Sequence, residues 1–154
     1  MLIDFHTHTS ASDGALAPCE LVNRALANKI DLLAITDHDT VSGYEVAAAY
    51  HRPESSGMQL IPGIELSSRW SGTTIHILGL GIDCEHPVMR GALTHMDTAR
   101  LERGAVIARR LASRGFLGAL QGALEHAAGS QLGRPHFAAW MVQQGHVKDH
   151  NQAF

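Results

Sequence analysis

Leu32-Leu33-Ala34-Ile35 runs directly into Thr36-Asp37-His38-Asp39. Four consecutive apolar residues with no polar alternation read as a strand buried on both faces, the habit of a parallel sheet covered by helices. Helical patterns flank it. Pro18 suits the first turn of a helix, and Leu21, Val22, Ala25 and Leu26 recur at helical spacing, which predicts an amphipathic helix over 18–29. Ser42 with Glu45 reads as a capping box that opens a second helix, running to about His51. Leu2–Phe5 predicts an earlier strand. "MQLIPGIELSS" predicts a strand region broken at Pro62-Gly63, and "TTIHILGLGI" a further strand weakened by Gly79 and Gly81. This alternation predicts a parallel α/β sheet or barrel.

The pattern then changes. From Pro87 onward no segment reads as a strand. Pro87 opens a long helix to about Arg114 stopped by Gly115, residues 117–128 form a second ended by Gly129, and Pro135 opens a third stopped by Gly145. Residues 1–86 are thus expected to form an α/β part and 87–154 a helical one.

Each predicted strand delivers ligand-type side chains. His6, His8 and Asp13 follow the first and Asp37, His38 and Asp39 the second. Glu65 lies just after Pro62-Gly63-Ile64, and His76 lies inside the fourth. Active sites of parallel α/β folds are built at the C-terminal strand edge, where residues distant in sequence meet. In extended chain, residues two apart point to one side, so His6 and His8 can face one ion together. Each element has an ordinary alternative: a surface histidine pair, a capping aspartate, a satisfied buried carboxylate, a core histidine. Four such positions in succession argue for a shared site. Imidazoles and carboxylates without thiolates suit Mn²⁺, Fe²⁺ or Zn²⁺ in a multinuclear hydrolytic site rather than a structural zinc site.

Composition narrows the class. Eleven histidines stand against four Phe, two Tyr and two Trp, which raises the expectation of metal binding. A net charge of −3 argues against a broad cationic surface for duplex DNA or anionic membrane. No apolar stretch approaches the ~18 residues of a membrane span. Cys19 and Cys84 fit no CxxC pattern and suit a reducing compartment. Met1 leads directly into Leu-Ile-Asp-Phe with no leader pattern, so the expected location is the cytoplasm.

"DFHTHTSASDG", "LLAITDHDT", "PGIELSS" and "IHILGLGID" resemble the first motifs of the PHP (polymerase and histidinol phosphatase) superfamily, most closely its stand-alone phosphoesterases of the TrpH/YciV type. The resemblance implies a distorted seven-stranded (β/α) barrel with two or three divalent metals in its mouth, and a helical segment inserted or appended as a cap. It implies that His6 and His8 hold one metal, that Glu65 bridges it to a second also held by His76, and that Asp13 and His38 bind a third. Asp37 and Asp39 stand behind these ligands, and a metal-activated water is the implied nucleophile. In "GRPHFAAWM", Arg134 and His136 begin a helix, where N–H groups favour an anion and a guanidinium can take phosphate bidentately. Similar enzymes carry such an Arg-x-His in the cap. The arginines at 100, 103, 109, 110 and 114 read as a solvated face, and the histidines at 51, 86, 95, 126, 146 and 150 as surface residues.

The later His-Pro and Asp-x-His motifs of such a barrel are not found before Phe154, and a barrel of this class needs ~250 residues. The chain is therefore expected to be the N-terminal portion of a longer protein. The implied activity is metal-dependent phosphoester hydrolysis on a nucleoside monophosphate, a 3′,5′-bisphosphate or the 5′ end of a short RNA. The alternatives are a histidinol-phosphate-type phosphatase and a non-catalytic metal- or nucleotide-binding fragment.

Overall fold

A computed structural model describes residues 1–154, apart from the side chains of residues 55 and 56. The chain divides into two compact units, Met1–Leu93 and Thr94–Phe154.

The first unit is a four-stranded mixed sheet with helices. Its elements run β1 (Ile3–Thr7), α1 (Pro18–Ala27), β2 (Leu32–Ile35), α2 (Ser42–Tyr50), α3 (Pro53–Ser56), β3 (Gln59–Trp70) and β4 (Thr73–Leu80), with strand order β1-β2-β3-β4. β2 is the buried strand its apolar run predicts: Leu33, Ala34 and Ile35 are each at most 1% exposed. Leu33 and Ile35 pack with Val22 and Ala25 of α1, Ala47 of α2 and Met58. Each such Val, Leu or Ile contributes roughly 1.5–3 kcal/mol through burial. α1 keeps the predicted Pro18 start, and Glu20 returns to accept from the Ala17 N–H at 2.9 Å.

Three expectations need correction. The pairing β1–β2–β3 is parallel, but β3 and β4 pair antiparallel over Gly63–Trp70 and Thr73–Leu80. Their connection is the two residues Ser71 and Gly72, both at positive φ (47° and 82°), the backbone that a tight hairpin with the right twist requires. The Ser-Gly pair was the readable sign of this turn. Next, Pro62-Gly63 does not break β3. Residues 59–62 pair with β2, while 63–70 pair with β4 on the opposite edge, so Pro62 falls at the hand-over. Its carbonyl still accepts from Gly81 N–H at 2.8 Å. Last, Ser42 and Glu45 form no capping box. Val41 is the N-cap, Thr40 Oγ1 accepts from the Ser42 N–H at 3.2 Å, and the Glu45 carboxylate pairs with Arg90 at 2.6 Å. A guanidinium partner outcompetes a backbone amide for that carboxylate.

His51 also departs from the surface reading. It is buried, and its Nε2 lies 2.9 Å from the Met58 carbonyl oxygen, tying the end of α2 to the start of β3.

α4 (Pro87–Ala112) runs across the division between the units. In the second unit, α5 (Ala119–Ala127), α6 (Arg134–Gln143) and the short α7 (His150–Ala153) follow it. Ala119, Ala123 and Ala127 pack with Leu132, Phe137, Trp140 and Met141. Gly122 has no room for a Cβ because the Trp140 ring occupies that position. Small residues on α5 thus form the seat for the large ones of α6. No helix among the described residues is long and apolar enough to cross a membrane.

Candidate metal centre

Three parallel strand ends and one hairpin register assemble the cluster. β1 carries His6, with His8 directly after it. Between them Thr7 turns the other way and bonds to β2, donating Oγ1 to the Ala34 carbonyl at 2.6 Å and accepting the Thr36 N–H at 2.8 Å. The chain beyond β2 stays beside β3: His38 bridges Glu65, the Glu65 N–H donates to the Asp37 carbonyl at 3.2 Å, and the Asp39 N–H donates to the Glu65 carbonyl at 3.1 Å. His76 arrives by the antiparallel register. It sits opposite Ser67 while Leu78 sits opposite Glu65, so His76 and Glu65 are diagonal neighbours on one face.

All six predicted side chains meet. Glu65 is the hub, its side chain only 10% exposed. Its Oε2 lies 2.7 Å from His6 Nε2 and 3.0 Å from His8 Nε2, and its Oε1 lies 2.8 Å from His76 Nδ1 and 4.0 Å from His38 Nδ1. Asp13 lies 3.1 Å from His8 Nδ1 and 3.6 Å from His38 Nε2. Three overlapping trios result, His6–His8–Glu65, His8–Asp13–His38 and His38–Glu65–His76, each with its ligand atoms within 4.8 Å of one another.

The electrostatics follow from crowding. Ring centroids run 5.1, 4.7 and 4.9 Å apart along His6, His8, His38 and His76. Protonating every ring would set like charges side by side. Burial, reinforced by His8 and His76, holds His38 below its ordinary pKa against the opposing pull of Asp13 and Glu65. For Glu65, burial acts upward, but the His6 hydrogen bond and the fields of His38, His6 and His8 prevail, leaving the carboxyl below its usual range. A carboxyl held in its ionised form beside an imidazole disfavoured from protonation is the pairing that metal ligation requires. Among the described residues the buried His8 Nδ1 and His38 Nδ1 find no hydrogen-bond partner, the Asp13 oxygen near the first being close but unaligned. Orphaned buried nitrogens beside carboxylates fit a site for divalent cations.

Asp37 and Asp39 are nearly inaccessible, at 1% and 2% exposure. Asp37 accepts from the Thr9 N–H (2.7 Å), Thr9 Oγ1 (2.7 Å) and Ser12 Oγ (2.6 Å). Asp39 Oδ1 accepts from the Ser67 N–H at 2.6 Å. Thr9 and Ser12 are participants that the sequence reading passed over, although two hydroxyls three residues apart before Asp13 resemble loop caps.

Arg134 and His136 lie in the second unit. Arg134 is exposed at the first residue of α6, and His136 Nδ1 accepts from the Gly133 N–H at 3.0 Å. Burial, His126 and Arg100 lower the His136 pKa.

A sheet that gathers histidines and carboxylates on one side, from its strands and the loops that follow them, defines an α/β protein with a cluster suited to divalent metal. The PHP domain profile matches residues 4–122, and the chain belongs to the PHP domain family. It is 43% identical over 145 residues to the 5′-3′ exoribonuclease Rnm of Salmonella typhimurium, covering 94% of this chain and 50% of that protein. It is 40% identical over 154 residues to the 3′,5′-nucleoside bisphosphate phosphatase of Chromobacterium violaceum, covering 99% and 53%. Among solved structures, an amidohydrolase of Chromobacterium violaceum with bound sulfate and no metal superposes with a TM-score of 0.84 at 38% identity, covering all of this chain and 54% of that one. The chain spans about half the length of the curated relatives it matches. Its fold is mixed α/β, part of a PHP barrel followed by a helical segment.

Proposed function

We propose that the cluster holds two or three divalent ions, Mn²⁺ first with Zn²⁺ or Fe²⁺ as alternatives, and that the protein hydrolyses phosphoesters of small nucleotides or of short RNA 5′ ends. One observation carries this reading: the two oxygens of Glu65 face different histidines, His6 and His8 on one side and His76 on the other. His8 and His38 each belong to two of the trios, and the likeness to PHP phosphoesterases assigns them: His6 and His8 would hold one ion, His76 a second with Glu65 shared between the two, and Asp13 with His38 a third. Divalent ions bound there supply a Lewis acid for the phosphoryl oxygens and a water acidic enough to attack near neutral pH. Glu65 would offset cationic charge on two sides at once. His38, held neutral by burial, keeps a lone pair for ligation. Arg134 and His136 are assigned to phosphate on their own chemistry, an exposed guanidinium in the first turn of a helix.

The names of the Salmonella and Chromobacterium relatives support nucleotide and RNA substrates, and the sulfate in the structural neighbour supports a tetrahedral anion. Two free cysteines suit the cytoplasm. The test is phosphate release from a nucleoside 3′,5′-bisphosphate, a nucleoside monophosphate and a 5′-phosphorylated short RNA, with Mn²⁺ per chain measured in parallel. Histidinol phosphate serves as the counter-substrate. Turnover of that compound alone would overturn the nucleotide assignment, and bound metal without any turnover would favour a binding role.

A further inference from the structure

We infer that Asp37 and Asp39, the two carboxylates flanking His38, are positioning residues with separate tasks: Asp37 sets the Asp13 side of the cluster and Asp39 sets the β3–β4 side. The inference rests on the metal reading proposed above only where metal is measured.

Asp13 is the ligand with least support of its own. It lies in the loop after β1, its side chain 50% exposed and outside any strand ladder. The loop is instead gathered onto Asp37, whose Oδ1 takes the Thr9 N–H and Ser12 Oγ and whose Oδ2 takes Thr9 Oγ1. Ser12 directly precedes Asp13. Asp37 itself cannot turn toward an ion. Its Oδ2 lies against the backbone of Gly43, where even a Cβ would collide with it. Its carboxylate is fully engaged, buried and braced from behind by α2.

Asp39 reaches the other way. The β2–β3 ladder ends with Ile35 opposite Pro62. Beyond that point the Asp39 side chain takes the Ser67 N–H, and Ser67 is the residue paired with His76. Asp39 adopts a left-handed backbone, φ 56°, a conformation that aspartate tolerates better than most residues. One histidine is thus bracketed by two clamps, one on the loop that carries Asp13 and one on the hairpin that carries His76.

Amide hydrogen exchange without metal, followed by Mn²⁺ titration, tests this on the whole chain. Asp37→Ala is expected to speed exchange over residues 8–14 by about tenfold, the scale of a lost buried hydrogen bond, and to leave 65–77 at wild-type rates. Asp39→Ala is expected to do the reverse. Asp37→Asn should stay near wild type, because its amide oxygen can take the Thr9 N–H and Ser12 hydroxyl while its NH₂ faces Thr9 Oγ1. In Mn²⁺ titration, Asp37→Ala and Asp13→Ala should each weaken the same class of site about 10–100-fold and spare the rest. Should Asp37→Ala fail to fold, Ser12→Ala removes a single donor and should loosen 8–14 alone. Equal effects of both aspartate variants on both segments, no effect of either or of Ser12→Ala, or damage from Asp37→Asn matching that from alanine, would overturn the inference. A wild-type chain that binds no Mn²⁺ overturns the functional reading, and the exchange result still decides the positioning roles.

Discussion

Glu65 is the residue on which the cluster turns. Replacing it by glutamine keeps the volume but removes the charge, and one side then meets an NH₂ that cannot ligate. Glu65→Gln is expected to lower metal per chain and abolish turnover, more severely than loss of His6 or His76 alone; elemental analysis of the purified variant beside the wild type checks this. Arg134→Ala is expected to cost ~1.5–3 kcal/mol of substrate binding, read as a raised KM, with lysine restoring only part of it because an ammonium lacks the planar fork. Unchanged KM in both variants would make Arg134 a surface residue. The cluster was legible at this scale because its side chains are short-range signals: His6, His8 and His38 come shortly after the apolar residues of β1 and β2, and Glu65 and His76 are polar interruptions inside apolar strands. The parts of Thr9 and Ser12 were not, and the resemblance that sets Asp37 and Asp39 behind the ligands does not tell which segment each one holds, since the partners of a buried carboxylate come from loops and strands distant in sequence.

Among the elements, α6 carries a pH dependence of its own. His136 accepts the Gly133 N–H through Nδ1, and burial, His126 and Arg100 hold its folded pKa below the ordinary histidine value. The unfolded chain therefore binds the proton more readily. This contribution to stability is fully present above the ordinary histidine pKa and is lost as pH falls through the lower folded value. Thermal melts followed at Trp140, with Trp70 replaced by Phe, should show the second unit weakening on acidification, and His136→Gln should flatten that dependence. A melt unchanged by acid would remove the histidine from the account. Element positions were readable where periodicity was strong, as in α1 and β2. The hairpin departs from the strand–helix alternation that predicts a parallel sheet, because no helix separates β3 from β4 and the local sign of their antiparallel pairing is the short Ser71-Gly72 turn. The cap of α2 was missed because the choice of Glu45 for Arg90 is a long-range event that local spacing cannot reveal.

For the molecule as a whole, β4 is the conspicuous surface. It stands at the end of the sheet order, and Ile75, Ile77, Leu78 and Leu80 are 38–50% exposed, on both of its faces. An apolar outer strand with open backbone groups invites pairing between chains. The 154-residue chain is expected to associate in a concentration-dependent way, and Ile77→Lys, on the face away from His76, should reduce association without changing Mn²⁺ affinity. Sedimentation of the two proteins over a range of concentrations tests it, and a wild-type chain monomeric throughout would count against the exposed strand as a liability. The hairpin also restricts how this region can drift in evolution. Because side chains alternate along a strand, a one-residue gain or loss between the Ser71-Gly72 turn and His76, with the turn retained, would send the imidazole to the opposite face and away from Glu65. A change of two would return it to the correct face. Length variation in this arm is therefore governed by parity, and descendants that keep the histidine in use should differ there by even numbers or carry a compensating bulge.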